Sequence, residues 1–190
     1  MQLKHLLIAA VALLTAACLP VTSKVQVGVA KSDPALAGSW KAAADDKTTV
    51  WFHFIPQKDG SLTALMVTSK TKSDDSDWMQ FKITTAQLGD AHYINAVEIS
   101  DNGKAADPKD TGNIPLLYRY RNARTVALYL IDEKKAADAV RAKKISGTVE
   151  QGDNGDVRFT ATAAEQDKFF QSKDGAALFT KPWMVLTKAN

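Results

Sequence analysis

Histidines are the first residues to test for catalytic or metal chemistry, and the chain has three of them: His5, His53 and His92. His53 and His92 lie in stretches that alternate like β-strands, so a closed sheet could bring them together. Neither has a carboxylate close to it in its own strand, and zinc takes three or four ligands. The sequence also lacks a Gly-x-Ser-x-Gly elbow, a phosphate-binding Gly-rich loop and a His-Glu-x-x-His helix. We therefore expect no metal, no cofactor and no enzymatic activity. A hydrolase built on one of the histidines is the less favoured alternative.

Two acidic runs have the composition of a calcium loop but not its spacing. They are Asp74-Asp75-Ser76-Asp77 and Asp153-Asn154-Gly155-Asp156. Neither shows the regular ligand positions and the closing bidentate Glu of an EF-hand. Asp, Asn and Gly are also the residues that tight turns favour, so we interpret both runs as turns. Four further carboxylates, which the sequence cannot place across a cleft from one another, are Glu98, Asp101, Glu133 and Glu150.

Aromatic and histidine side chains on the predicted strands are the candidates for lining a ligand cavity. Aromatic residues on strands build a core more often than they bind a ligand, and both roles require an inward position. The possible cavity residues are Trp51, His53, Trp78, His92, Tyr118 and Tyr120, with Tyr93, Phe159 and Trp183 as further aromatics on predicted strands or close to them. Arg119 and Arg121 share the face of their strand opposite Tyr118 and Tyr120. They are either a solvated pair or a contact for an acidic partner.

Residues 1–17 have the organisation of a secretory signal peptide. Lys4 supplies a positive charge, Leu6–Leu14 is a continuous apolar run, and Thr15-Ala16-Ala17 provides small residues for cleavage. The apolar run is shorter than the roughly 20 residues that a membrane-spanning helix needs. Export followed by cleavage is therefore the favoured interpretation, with an uncleaved anchor helix as the alternative.

Cys18, the only cysteine, directly follows this segment. Leu14-Thr15-Ala16-Ala17-Cys18 resembles the bacterial lipobox, in which the thiol is acylated and the chain is cut before it; Thr15 stands where that pattern prefers Leu, Val or Ile. The resemblance implies that Cys18 carries lipid and that several acyl chains attach the protein lastingly to a membrane. Leu19, rather than Asp, follows the cysteine, which by the same resemblance implies the outer membrane, facing the periplasm. Soluble export without lipid is the alternative.

Beyond Leu36 the chain predicts a mainly β, antiparallel domain. Short alternating runs are separated by turn residues such as Asp59-Gly60, and Thr48–Pro56 places Val50, Phe52 and Phe54 on one face. The predicted strands are 48–56, 61–69, 78–85, 92–100, 116–121, 126–131, 145–151, 156–162 and 184–188. Two short peripheral helices are predicted over 132–143 and 163–171, with Asp132 and Thr162 as their N-caps.

Closure of this meander is favoured because a closed barrel has no exposed edge strands. We predict a barrel of about eight strands over residues 36–190, preceded by a tether over 18–35 with at most a short strand at 25–29. The formal net charge is only +3, and lysines alternate with Asp along the chain. Such a surface is solvated and mixed, so we expect no nucleic-acid partner.

Gly38-Ser39-Trp40, where the barrel should begin, resembles the Gly-x-Trp signature of lipocalins and related calycin barrels. In that family the Trp plugs the closed end, and a basic residue from a late strand packs across its ring. The resemblance implies structural roles for Gly38 and Trp40, with Arg158 or Lys188 as the basic partner. Of the two, Arg158 is the predicted partner. The order of motifs from Trp78 onward is also similar to that of uncharacterised bacterial lipoproteins with lipocalin-like barrels, which have no settled activity.

The expected function is therefore non-enzymatic binding by a barrel tethered to a membrane through lipid. A small barrel can hold one apolar small molecule or lipid in its interior. The alternative, which belongs to a different class, is a periplasmic protein-binding module with a filled barrel, such as an inhibitor or a toxin-immunity protein. The state of the barrel interior distinguishes the two.

Overall fold

The computed structural model describes residues 21–43, 48–70, 76–107, 112–150 and 156–189. The predicted signal peptide and Cys18 lie outside the described residues, as do 74–75 of the first acidic run and 153–155 of the second. Within the described part the chain is mainly β, as the alternating pattern predicts.

The strands in chain order are β1 (Val21–Ser23), β2 (Val29–Ala30), β3 (Gly38–Ala43), β4 (Thr48–Pro56), β5 (Leu62–Lys70), β6 (Ser76–Leu88), β7 (Ala91–Asp101), β8 (Lys104–Ala105), β9 (Ile114–Asn122), β10 (Thr125–Tyr129), β11 (Gly147–Val149), β12 (Val157–Phe159) and β13 (Met184–Lys188). The helices are a 3-10 turn at Pro34–Leu36, α1 (Glu133–Arg141), α2 (Ala163–Phe170) and α3 (Lys173–Ala176). Helices α1 and α2 are the two that the sequence predicts, with Asp132 and Thr162 as their N-caps.

Eight strands form a closed antiparallel barrel, which confirms the predicted fold class. Their order around the barrel is β3, β4, β5, β6, β7, β9, β10 and β13. Strand β13 then pairs with β3, where Lys188 lies opposite Trp40. This last pairing joins the two ends of the meander, so no barrel strand is left with a free edge.

Inward-facing side chains from all eight strands, with Leu36 of the 3-10 turn, form one apolar core inside the barrel. Its buried members are Leu36, Trp40, Ala42, Val50, Phe52, Phe54, Leu62, Ala64, Met66, Ile83, Ile94, Ala96, Ile114, Leu116, Tyr118, Val126, Leu128 and Leu186. Val50, Phe52 and Phe54 face inward together, as the alternation of β4 predicts.

A second apolar core lies outside the barrel, between its wall and the helical excursion that separates β10 from β13. Tyr93 and Leu117 project outward from β7 and β9 into this core, where they meet Phe169 and Phe170 of α2. The ring of Phe170 packs edge-on against Tyr93, with centroids 5.8 Å apart. One side of the barrel wall is therefore covered, and the helices are peripheral, as predicted.

The predicted hairpin over 145–151 and 156–162 forms, but it is not part of the barrel. Strands β11 and β12 pair with each other, and β12 also pairs in parallel with β1, giving a separate three-stranded sheet. The alternating pattern correctly identified strands here. It could not show that their buried face packs on the outer core rather than in the barrel.

The prediction of a tether over 18–35 is wrong for the described residues 21–35. Val27 is completely buried, and its N–H donates to Asn95 Oδ1 at 2.8 Å while Asn95 Nδ2 donates to its carbonyl oxygen at 3.1 Å. Gln166 Nε2 donates to the carbonyl of Val25 at 3.1 Å. The Gly28 N–H donates to Asp167 Oδ1 at 2.8 Å. Buried side chains of the barrel wall and α2 therefore hold this segment through its backbone.

Candidate functional site

One end of the barrel is sealed by the segment that precedes β3. The indole of Trp40 is completely buried and donates from Nε1 to the carbonyl of Leu36 at 2.7 Å. Lys188 Nζ lies 5.2 Å from the centroid of the Trp40 ring and donates to the carbonyl of Ala35 at 3.3 Å. Gly38 has φ +112°, a conformation that side-chain-bearing residues rarely adopt. We call this end, from Asp33 to Trp40 with Lys188, the cap.

The expected role of Arg158 in the cap is wrong. Arg158 is exposed on β12, in the small sheet outside the barrel. Lys188, the other basic residue considered, makes the contact because β13 pairs with β3 and places it directly opposite Trp40. Only the strand register, which the sequence does not reveal, distinguishes the two.

Asp33 joins the cap to the barrel wall through two tyrosines. The hydroxyls of Tyr118 and Tyr120 both donate to Asp33 Oδ2, at 2.8 and 3.0 Å. Burial, reinforced by these bonds to a carboxylate, raises the pKa of both phenols above their usual range. The His92 ring lies 5.5 Å from that of Tyr118, centroid to centroid. Three of the six predicted cavity residues therefore meet, but at the sealed end, where the two tyrosines hold the cap.

The other three predicted cavity residues, Trp51, His53 and Trp78, lie on the outer surface. Trp51 and His53 alternate with the inward residues of β4, and their rings stack with centroids 6.4 Å apart. The Ser39 hydroxyl and His53 Nδ1 share a hydrogen bond of 2.8 Å. Trp78 lies opposite Val67, the neighbour of Trp51 on β5. The idea that His53 and His92 could meet inside the barrel is therefore wrong.

These outer residues form a partly exposed apolar row across the strands that the helices leave uncovered. Trp51 pairs with Val67 and Val67 pairs with Trp78, so their side chains follow one another across β4, β5 and β6. Lys41 extends the row on β3, with Nζ 5.9 Å from the Trp51 ring centroid. We call these four residues the outer row.

Opposite the cap, the barrel core is incompletely covered by the described residues. The apolar side chains that pack on the core but stay partly exposed are Met79, Phe81, Leu130, Trp183 and Met184. Each lies in the half of its strand away from the cap or directly beyond that strand end, with Phe81 near the middle of β6, and we call this set the mouth. Met184 pairs with Leu128, and the Trp183 N–H donates to the carbonyl of Leu128 at 2.8 Å. Phe52 supplies the floor, its ring edge-on to Trp183 at 6.3 Å between centroids.

Glu98 projects toward the mouth. Ile94 and Ala96, which precede it at alternate positions of β7, both belong to the barrel core, and Glu98 lies directly opposite Phe81. Burial, followed by the negative charge of Asp101, raises the pKa of this carboxyl. Among the described residues, no hydrogen bond or ion pair reaches the Glu98 carboxylate.

Sequence reasoning found some of these residues without finding their place. The sequence identifies Glu98 and Trp183 only as a carboxylate and an aromatic, and it gives no signal at Asp33, which lies in the segment predicted to be a tether. The alternation of Ile94, Ala96 and Glu98 was a usable signal, since it places the carboxylate on the apolar face of its strand.

The described residues contain no group of three or more His, Cys, Asp or Glu side chains that could hold a metal ion. None of the helices in the same residues is long and apolar enough to cross a bilayer. Comparisons with protein-family models, with curated proteins and with solved structures found no match to this chain.

Proposed function

We propose that this chain is a non-enzymatic lipoprotein that binds an apolar small molecule or lipid at the mouth of its barrel. The observation that supports this function best is the asymmetry of the barrel core. Its cap end is sealed by buried side chains, whereas its partly exposed apolar side chains all lie at the mouth. Burying such surface under a ligand contributes about 25 cal/mol for each Å² removed from water.

In this proposal the half of the barrel next to the cap is structural, and the ligand is bound only near the mouth. Trp40 and Leu36 of the cap, with Tyr118 of the wall, occupy the interior at the sealed end and leave binding to the opposite end. Met79 and Met184 suit such a site, because an unbranched thioether side chain adapts to ligands of different shape.

The proposed lipid anchor on Cys18 would hold the barrel close to a membrane. Ser23 exchanges backbone hydrogen bonds of 2.7 and 2.9 Å with Asn113, which immediately precedes β9 at the mouth end. The residues from Cys18 to Ser23 span at most about 18 Å when fully extended. An acylated Cys18 would therefore keep the mouth end near the lipid surface, which supports a ligand drawn from the bilayer. By the lipobox resemblance, that bilayer is the outer membrane seen from the periplasm.

Mass spectrometry of the full chain expressed in bacteria and extracted in mild detergent tests both parts of the proposal. We expect a mature chain that begins at an acylated Cys18, and a fraction that retains a non-covalent apolar ligand. The Cys18→Ala variant should stay unprocessed or enter the soluble fraction. A wild-type chain without covalent lipid would refute the anchor. A ligand-free wild type that also takes up no lipid from vesicles would refute binding at the mouth.

The outer row favours a second function, that of a protein-binding module. Trp51, Val67 and Trp78 give the uncovered wall a partly exposed apolar strip, and tryptophan is enriched where protein interfaces hold most of their energy. Pull-down from periplasm separates the two functions. Loss of a captured partner in Trp51→Ala, but not in Trp183→Ala, would favour a protein partner over a ligand at the mouth.

A further inference from the structure

One acidic side chain, Glu98, lies directly beside the apolar residues of the mouth. Glu98 occupies the same face of β7 as Ile94 and Ala96, and its direct neighbour across the strand pair is Phe81. A carboxylate withdrawn from water is costly unless a charge or hydrogen bond compensates it. The described part of the chain supplies neither at Glu98.

On β6 and β7, the two charged side chains that share the inward face with Glu98 are both acidic. Asp101 lies opposite Met79 and Asp77 lies opposite Thr68, so both acidic residues share the inward face near the rim. Lys104 lies opposite Asp101 on β8, but no ion pair joins them among the described residues. An anion entering the mouth would meet this negative field, whereas a cation would be attracted to it.

We propose that the ligand of the mouth is an aliphatic molecule with an ammonium head. The ammonium pairs with Glu98, and the chain packs against Met79, Phe81 and Trp183. This inference rests on the proposed binding function, because it gives the same site its chemical preference. The ammonium would also donate hydrogen bonds to the Glu98 carboxylate, which accepts none from the described residues.

Three probes with the same chain and different heads test the preference: dodecylammonium, dodecanol and dodecanoate. Each is titrated into the full chain below its critical micelle concentration or, for dodecanol, below its solubility limit, while Trp fluorescence is followed, since Trp183 lies in the mouth. We expect dodecylammonium to bind at least about tenfold more tightly than dodecanoate, a ratio that corresponds to about 1.4 kcal/mol. Glu98→Gln should reduce that ratio below about threefold, because it removes the charge that pairs with the ammonium.

Glu133→Gln is the matched control. Glu133 is also a partly buried glutamate whose pKa is raised by burial, but it lies on α1 outside the barrel. This variant should bind all three probes as the wild type does. The comparison of probes on the wild-type chain needs no variant, so it tests the preference even if Glu98→Gln folds poorly.

The outcomes of the probe titrations distinguish the ammonium preference from the proposed binding function on which it rests. Equal binding of the three probes, or tighter binding of dodecanoate, overturns the ammonium preference and leaves the apolar mouth intact. If none of the probes binds, the proposed function fails as well. A fourth probe, lysophosphatidylethanolamine, carries its ammonium on a phosphate headgroup. It distinguishes a membrane lipid from a free amine as the natural ligand. Binding as tight as that of dodecylammonium supports ammonium recognition in a membrane lipid, and weaker binding supports recognition of a free amine.

Discussion

Replacing Asn95 by alanine should detach the amino-terminal segment from the barrel wall. Asn95 is almost fully buried on β7, and its amide both donates to and accepts from the backbone of Val27. Alanine removes both partners and leaves a buried N–H and a buried C=O unsatisfied. The segment joins β1 to the 3-10 turn, so its loss also loosens the approach to the cap.

The expected cost follows from those two backbone groups. Leaving one buried polar group without a partner costs about 1–3 kcal/mol, and entry of water should recover part of this. We therefore expect Asn95→Ala to lower the free energy of unfolding by about 2–4 kcal/mol, a large share of the 5–15 kcal/mol typical of a domain.

Urea denaturation followed by tryptophan fluorescence measures this loss, and hydrogen exchange at the Val27 amide localises it. Gln171→Ala is the control, because Gln171 carries the same kind of side chain at an exposed position just after α2. That change should stay within about 0.5 kcal/mol of the wild type. If Asn95→Ala cost no more than the control, the segment would be a loosely held tether and the packing described for it would be wrong.

Two further predictions concern the cap. Lys188→Met removes the cation over Trp40 and the hydrogen bond to Ala35, and should lower the free energy of unfolding by about 1–2 kcal/mol, measured by thermal unfolding. Arg158→Met, the control, should be close to neutral. Equal effects of the two variants would contradict the assignment of Lys188. The free energy of unfolding should also fall above pH 10. Burial raises the pKa of Tyr93 to about 12 and also raises the pKa of Tyr118. The unfolded chain therefore loses its phenolic protons at lower pH than the folded chain does. Urea titrations between pH 9 and pH 12 measure this slope, which Tyr118→Phe should reduce; a stability independent of pH would contradict it.

Local patterns predicted the barrel because each of its strands carries its own evidence. Val50, Phe52 and Phe54 alternate with outward-facing residues, and Gly38 and Trp40 mark the strand that begins in the cap. A period of two shows that one face of a strand is buried, but not which layer buries it. For that reason β11 and β12 were predicted as strands but not placed in the outer sheet.

The errors at the candidate site have the same origin. Trp51, His53 and Trp78 have side chains suited to a cavity, yet strand register turns them outward. Val27 lies between Val25 and Val29 in a short alternating stretch that has no large side chain, so nothing local signals that Asn95 and Gln166 bind the backbone around it. Contacts between residues so distant in the chain become visible only when the barrel is assembled.

The proposed mouth is tested most directly by NMR of the methionine methyl groups. Met66, Met79 and Met184 all contact the barrel core, and Met79 and Met184 are the two that the described structure leaves partly exposed at the mouth. On addition of dodecylammonium, we predict large shifts and intermolecular NOEs at the Met79 and Met184 methyls, with a smaller shift at Met66. Methyl signals that do not move while the probe binds, or a perturbation confined to the tryptophans of the outer row, would contradict a ligand site at the mouth.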